Sequence, residues 1–340
     1  MEKQRTAVLL VNVGTPESPS VRDVRRYLVE FLSDKRVIDV PWLLRKILVN
    51  LVIVPLRASK SAQLYSQLWT EKGSPLLWYG NSVSKKLQDL LGDDYRVLLA
   101  MRYGNPNLKT VLADIKDIGY ADVIVLPLYP QFASSTTGTV LAMIWDTVKK
   151  WETMPDLHLV NQFYKNPKFI NAFAKRIKAC KYGNYDHIIF SYHGLPLRHI
   201  NKIHPSVDSE TCNCENQFPA EHGKYCYKAT CYETTRLLAS KLGLSDGDYS
   251  VAFQSRLYGK WLKPFTNDLL VKKAGEGIKT ILIVAPSFIA DCLETKVELG
   301  VEYKKLFIQS GGEKLEFVES LNDMPEWIKA LKGIVIAKRD

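Results

Sequence analysis

Residues 96–134, RVLLAMRYGNPNLKTVLADIKDIGYADVIVLPLYPQFAS, decide the fold class. Arg96–Met101 is a short apolar run of the kind that makes a buried strand, and Val123–Leu128 is a second. Between them, Leu108–Ile118 spaces its apolar residues along one helical face. A strand, a helix and a strand in so little chain make a crossover unit, which sets the two strands parallel in one sheet. Tyr249–Asp291 repeats the layout: strand, polar loop with Tyr-Gly, helix, strand ending in a proline, polar turn.

Ala7–Val13, His187–Tyr192, Tyr249–Phe253 and Thr280–Ala285 read as further buried strands. Ser20–Leu32, Gly138–Trp151, Pro167–Ala179, Tyr227–Leu242, Asn267–Lys273, Leu293–Phe307 and Pro325–Leu331 read as helices. The plan is α/β: two similar lobes, each a mainly parallel sheet flanked by helices in the Rossmann manner. Trp151, Pro155 and Asp156 interrupt the helical pattern near 152–159 and place the boundary there. Residues 1–155 are then an N-terminal lobe, 156–310 a C-terminal lobe, and 311–340 an extension expected to pack back on the first. Such lobes are expected to face each other across a cleft, with ligands beyond the carboxyl ends of the strands.

A chain that is 46% hydrophobic and 24% charged, with no biased tract, belongs among folded globular proteins. Its formal charge of +10 attracts anions, whether nucleic acid, an acidic membrane face or a carboxylated substrate. No basic run alternates with aromatics and no nucleic-acid motif occurs, so a nucleic-acid partner is not expected. Met1-Glu2-Lys3-Gln4-Arg5 leads straight into an apolar strand without a signal-peptide pattern, and a cytoplasmic location is expected. The most apolar stretch, 42–56, contains Arg45, Lys46 and Asn50; it is too short and polar to span a bilayer but suited to resting on the inner face of one. Nothing in the sequence sets an oligomeric state.

The predicted strand ends are rich in functional groups. His193 follows Ile188-Ile189-Phe190 and precedes Gly194-Leu195-Pro196, which puts an imidazole able to take up a proton near neutrality on a turning backbone. The plainer reading is a hydrogen-bonding structural histidine. Asp291, Glu294 and Glu298 open the helix 293–307, with the two glutamates four apart on one face. Acids favour a first helical turn, which accounts for Asp291 and Glu294 but less well for Glu298; a row of carboxylates also suits the passage of a hard divalent cation. Arg102-Tyr103 supplies a cation, and Ser134 to Thr137 supplies hydroxyls that either cap the next helix or meet a ligand. Gly14-Thr15-Pro16 lacks the spacing of a dinucleotide site.

Taken jointly, five motifs closely resemble those of ferrochelatases, in the family's order. They are Val11-Asn12-Val13-Gly14-Thr15-Pro16; Gln131 through Thr136-Thr137-Gly138; Ser191-Tyr192-His193-Gly194-Leu195-Pro196; Phe253-Gln254-Ser255-Arg256; and Leu293-Glu294-Thr295 with Glu298 and Tyr303. The resemblance runs from about Val8 to about Trp327. It implies a chelatase-like fold and a lyase that inserts ferrous iron into protoporphyrin IX, giving protohaem with release of two protons, the terminal step of haem biosynthesis. It also implies that His193 and Glu294 oppose each other at the substrate iron, His193 as proton acceptor or metal contact, with Glu298 and Asp291 continuing an acidic path. Asn12, Val13, Arg102, Tyr103, Ser134 and Trp261 would line the porphyrin site, and 42–56 would form an apolar lip over it. Cys292 stands where relatives often carry histidine, so the acidic path is expected to coordinate differently. Val13 in place of tyrosine points to protoporphyrin rather than coproporphyrin. The alternatives are a chelatase for another metal or tetrapyrrole, or a non-catalytic iron-sulfur or porphyrin-binding sensor; retention of His193, Glu294 and Glu298 together favours catalysis.

Four of the six cysteines, Cys212, Cys214, Cys226 and Cys231, fall in an insertion at about 205–231 with little apolar periodicity. Four thiols so close in a reducing compartment suit a 2Fe-2S cluster or a structural zinc, with His222 or His204 as substitute ligands, against the plainer reading of free thiols. Some bacterial ferrochelatases are similar in carrying cluster cysteines in an internal insertion, which favours the 2Fe-2S cluster.

Overall fold

The computed structural model describes residues 6–203, 208, 210–219, 222–256 and 260–339. The chain divides into two compact units, one made of Met1–Tyr129, Ser134–Gln162 and Asp323–Asp340, the other of Pro130–Ala133 and Phe163–Asn322.

The first unit runs β1 (Thr6–Thr15), α1 (Val21–Leu32), α2 (Trp42–Ile47), a π-helical segment (Leu48–Ile53), α3 (Val54–Leu68), α4 (Pro75–Leu91), β2 (Tyr95–Gly104), α5 (Leu108–Ile118), β3 (Asp122–Pro127), α6 (Thr137–Val148) and β4 (Asp156–Leu159). Its sheet is parallel in the order β2-β1-β3-β4. β1 is buried on both faces, as a central parallel strand covered by helices must be: Ala7, Leu9 and Val11 pack with Leu112, Val140 and Ile144, and Val8 and Leu10 are equally enclosed. Local chemistry sets the helix ends. Ser20 accepts the Asp23 N–H to start α1, Asn107 accepts the Lys109 N–H to start α5, and Gly119 closes α5 in the left-handed conformation. Gly14, at φ +111°, sits opposite Tyr103 on β2, where a Cβ would lie 1.6 Å from the Tyr103 carbonyl oxygen.

The second unit runs α7 (Pro167–Ala179), β5 (His187–His193), α8 (Leu197–Asn201), α9 (Tyr227–Leu242), β6 (Tyr249–Gln254), α10 (Thr266–Gly275), β7 (Thr280–Val284), a π-helix (Glu294–Tyr303), α11 (Lys304–Gln309) and β8 (Lys314–Phe317). Its parallel sheet has the order β6-β5-β7-β8, the same plan as the first, with Ile189, Ala252, Ile281 and Ile283 packed on Leu270, Leu299 and Phe307. The last helix, α12 (Pro325–Arg339), belongs to the first unit and packs on α4.

The two parallel sheets are those the repeated strand-helix-strand layout implies. Two local differences matter. The stretch that reads as a link between lobes supplies β4, because Asp156–Leu159 pairs with Asp122–Val125. The helix expected over 293–307 is π-helical from Glu294 to Tyr303 before continuing as α11. Among the described residues no helix is long and apolar enough to cross a membrane. The 42–56 stretch is helical and leaves Trp42, Leu43, Leu51 and Leu56 exposed, Leu56 at 77%.

Candidate active site

The carboxyl ends of β5, β6 and β7 carry the chemistry of the second unit. β5 is the inner strand whose buried run, Ile188 to Tyr192, ends by delivering His193 to a half-buried position. The imidazole has aromatic neighbours, with ring centroids 6.5 Å from Trp261 and 6.3 Å from Phe288. Its backbone is fixed twice: Tyr227 Oη donates to the His193 carbonyl at 2.9 Å, and the His193 N–H reaches Ser287 Oγ at 3.4 Å. Nδ1 lies 2.6 Å from the Gly194 carbonyl oxygen. A carbonyl only accepts, so Nδ1 carries a hydrogen, and in the neutral ring Nε2 is the nitrogen with the lone pair. Gly194 is needed for this approach, since a Cβ there would meet the Gln254 carbonyl oxygen at 2.8 Å and the Trp261 ring at 3.3 Å.

Gln254, paired with His193 across β5 and β6, ties the imidazole strand to the acidic helix. Its backbone carbonyl accepts the Gly194 N–H at 2.8 Å, its side-chain oxygen accepts from Ser191 Oγ at 2.8 Å, and its Nε2 donates to the Glu294 carbonyl and to Glu298 Oε2, each at 3.3 Å. The Glu298 carboxylate also accepts from the Ser255 N–H at 2.9 Å, from Ser255 Oγ at 2.5 Å and from Tyr303 Oη at 2.8 Å. Four donors on one carboxylate hold Ser255 at φ +63° and fix the Glu298 side chain. Burial first, and the Glu298 charge second, push the Tyr303 phenol well above its ordinary range, so it remains a donor.

Glu294, half-buried at the start of the π-helix, has the buried Cys292 beside it; burial and then the Glu294 charge push the thiol's pKa well up, so Cys292 stays protonated. Asp291 is fully enclosed. Its carboxylate accepts from Asn322 Nδ2 at 2.9 Å, Thr295 Oγ1 at 3.1 Å and the Ser320 N–H at 3.3 Å, with Lys296 Nζ at 3.5 Å. That arrangement clamps the start of the helix.

In the first unit, the ends of β1 and β2 place Asn12, Val13, Arg102 and Tyr103. Asn12 is buried and its Oδ1 accepts the Val13 N–H at 2.8 Å. Arg102 is ion-paired with Asp34, donates from Nε to the Thr139 carbonyl at 3.2 Å, and lies 4.5 Å above the Tyr103 ring. Tyr103 Oη donates to Asp34 at 3.1 Å. Ser134 Oγ accepts from Arg36 at 2.9 Å. Sequence reading missed Asp34 and Tyr227. Asp34 lies in no motif, and Tyr227 is hidden between Cys226 and Cys231 in a segment that reads as cysteine ligation alone.

The cysteine segment is only partly described, and His204 lies outside the described residues. Among the described residues no three His, Cys, Asp or Glu side chains form a group able to hold a metal ion. Cys212, Cys214 and Cys226 form a hydrogen-bonded chain. The bond with Cys226 pushes Cys214 up and holds Cys226 down, and Lys228 Nζ lies 3.7 Å from Cys212 Sγ and 2.8 Å from Glu215. Cys231, further along α9, is buried against Tyr227, and burial pushes its pKa well up. As folded, the four thiols do not make one cage.

Two parallel four-stranded sheets with chemistry at their carboxyl ends define the class as a two-lobed α/β protein of the chelatase fold. The sirohydrochlorin chelatase SirB of Bacillus subtilis shares that fold: a structure with Fe3+ superposes with a TM-score of 0.53 at 11% identity, covering 98% of this chain and 95% of that one. A cobalt complex of SirB from the subspecies spizizenii gives 0.50 at 10%, with the same coverage. The family model described as Ferrochelatase matches residues 5–339. A ferrochelatase of Legionella pneumophila is 43% identical over 335 residues, covering 97% of this chain and 98% of the relative, and one of Coxiella burnetii is 41% identical over 331 residues, covering 96% and 92%. The chain belongs to the ferrochelatase family.

Proposed function

We propose that the chain is a protoporphyrin ferrochelatase, a lyase-type enzyme that inserts ferrous iron into protoporphyrin IX to form protohaem in haem biosynthesis. The observation that carries the proposal is family membership over nearly the full chain, together with the bridging of the His193 strand to the Glu294–Glu298 helix by Gln254. Metallation removes two pyrrole protons and brings in a dication, so it needs a base and negative charge. His193 Nε2, with its lone pair exposed by the Nδ1–Gly194 bond, is the proton acceptor. Glu294 is the carboxylate that meets the iron, Glu298 holds Ser255 and Gln254 in place beside it, and Asp291 fixes the helix on which both stand. Asn12, Val13, Arg102, Tyr103, Ser134 and Trp261 are proposed to contact the porphyrin, Arg102 supplying the cation for an acidic substituent.

Anaerobic metallation followed by porphyrin absorbance tests this. The wild type is expected to prefer protoporphyrin IX and ferrous iron over coproporphyrin or cobalt, and His193→Ala is expected to lose roughly 10²-fold or more in rate. A His193→Ala protein that metallates at the wild-type rate removes the mechanism, and binding without turnover turns the reading to a sensor.

The cysteine segment is proposed to bind a 2Fe-2S cluster, with zinc second. The spacing of Cys212, Cys214, Cys226 and Cys231 supports it, together with the Lys228 ammonium beside Cys212. Cys231 would be the fourth ligand and is buried against Tyr227 here. Equimolar iron and acid-labile sulfide with dithionite-bleached absorption is expected; colourless, zinc-loaded protein refutes the cluster. The exposed apolar 42–56 helices are proposed to contact the inner face of the cytoplasmic membrane peripherally.

A further inference from the structure

A recess of about 390 Å³ lies wholly within the first unit, between the chain after α1 and α6. Six cations line it: Lys35, Arg36, Arg45, Arg102, Lys109 and Lys150. Two carboxylates face them. Asp34 is committed to Arg102 and Tyr103, and Asp146 is bonded to Lys149 at 2.6 Å. Lys35 and Lys150 also share the charge of Asp146, whereas Arg36 and Arg45 are oriented without a carboxylate partner. Arg36 Nη1 donates to Ser134 Oγ, and Arg45 Nη1 donates to the Val40 carbonyl at 2.9 Å and the Ile38 carbonyl at 3.3 Å, all uncharged acceptors. Arg36 Nε is buried without any acceptor, an unmet donor that needs a partner.

We propose that this recess binds a phosphate group. Forked guanidinium donors among lysine point charges suit a compact anion of more than one negative charge, and the volume admits a phosphate with a substituent or a second phosphate. The source is either a soluble phosphate compound or the headgroup of an anionic lipid. The exposed Trp42–Leu44 of α2 immediately precede Arg45, which puts an apolar surface beside the cations.

The test compares the full chain with a Lys109→Glu/Lys150→Glu protein, both positions being exposed and outside the proposed porphyrin contacts. Calorimetric titration with pyrophosphate at low ionic strength is expected to give saturable wild-type binding that weakens as salt rises and that is weaker by about tenfold or more in the variant. Co-sedimentation with phosphatidylglycerol and phosphatidylcholine vesicles separates the sources. Binding to the anionic vesicles that pyrophosphate competes away and the variant loses identifies a lipid headgroup; pyrophosphate binding with vesicle binding unchanged in the variant identifies a soluble phosphate. A Lys109→Gln/Lys150→Gln protein with the wild-type unfolding midpoint guards against a folding defect. No saturable binding, or binding unaltered in both variants, overturns the proposal.

Discussion

Glu298→Ala removes the acceptor at the centre of the second unit's network. Four donors lose a charged partner: the Ser255 N–H at 2.9 Å, Ser255 Oγ at 2.5 Å, Tyr303 Oη at 2.8 Å and, more weakly, Gln254 Nε2 at 3.3 Å. A hydrogen bond to a charged group contributes about 1.5–3 kcal/mol, and the hydroxyls of this half-buried site can turn to water, which recovers part of the loss. Ser255 is also held at φ +63°, a conformation that costs a non-glycine residue about 1 kcal/mol or more and relaxes once released. The expected net loss is about 3–4 kcal/mol, which lowers the melting temperature by roughly 6–8 °C at about 2 °C per kcal/mol. Tyr303→Phe is expected to cost about 1.5 kcal/mol, and the double variant less than the sum by at least ~1 kcal/mol, because both changes remove the same bond. Differential scanning calorimetry reads the stabilities and anaerobic metallation reads the site. A Glu298→Ala protein that melts within ~2 °C of wild type, or a strictly additive double variant, refutes the network as described.

Gly14→Ala is expected to destabilise the first unit by about 3 kcal/mol or more or to leave it unfolded, since a Cβ would meet the Tyr103 carbonyl at 1.6 Å; a soluble variant melting as wild type refutes this register. Asp291→Asn is expected to cost about 2–3 kcal/mol by denaturant unfolding, because the enclosed carboxylate loses its pairing with Lys296. His187 is held down to about 4 by burial, with Lys273 adding to the effect, against an ordinary 6.5. Its neutral form is the folded one, so the contribution is complete above pH 6.5 and is lost as pH falls toward 4, where the unfolded chain has already taken the proton. A His187→Phe protein is expected to flatten the stability profile across that window by about 2 kcal/mol, measured as urea midpoints from pH 7 to 4.

The sheets were legible in the sequence because parallel strands covered on both faces are apolar end to end, and Val8 to Val11 or Ile188 to Phe190 have no other explanation. β4 was not, since its four residues owe their pairing to β3 rather than to their own pattern. Helix α3 follows an apolar stretch whose periodicity is masked by exposed leucines, and α4 starts at Pro75 after the polar run Thr70 to Ser74 and carries its apolar residues mixed with polar ones. At the site, residue types at strand ends drew attention to His193, Glu294 and Arg102, but the partners that position them do not advertise themselves. Gln254 acts through both its carbonyl and its amide, and Asp34 comes to Arg102 across a sequence gap that no local pattern bridges.

The π-helix has a consequence for the length of the chain itself. A π turn is an α turn with room for an additional residue, so removing any one residue between Glu294 and Tyr303 lets the segment relax into ordinary α geometry. Glu298 and Tyr303 stand five residues apart, a spacing that π geometry stacks on one face and α geometry, at about 100° per residue, turns roughly 140° apart, so a deletion ahead of Glu298 would break their bond. In this stretch the number of residues constrains the site as tightly as their identities do.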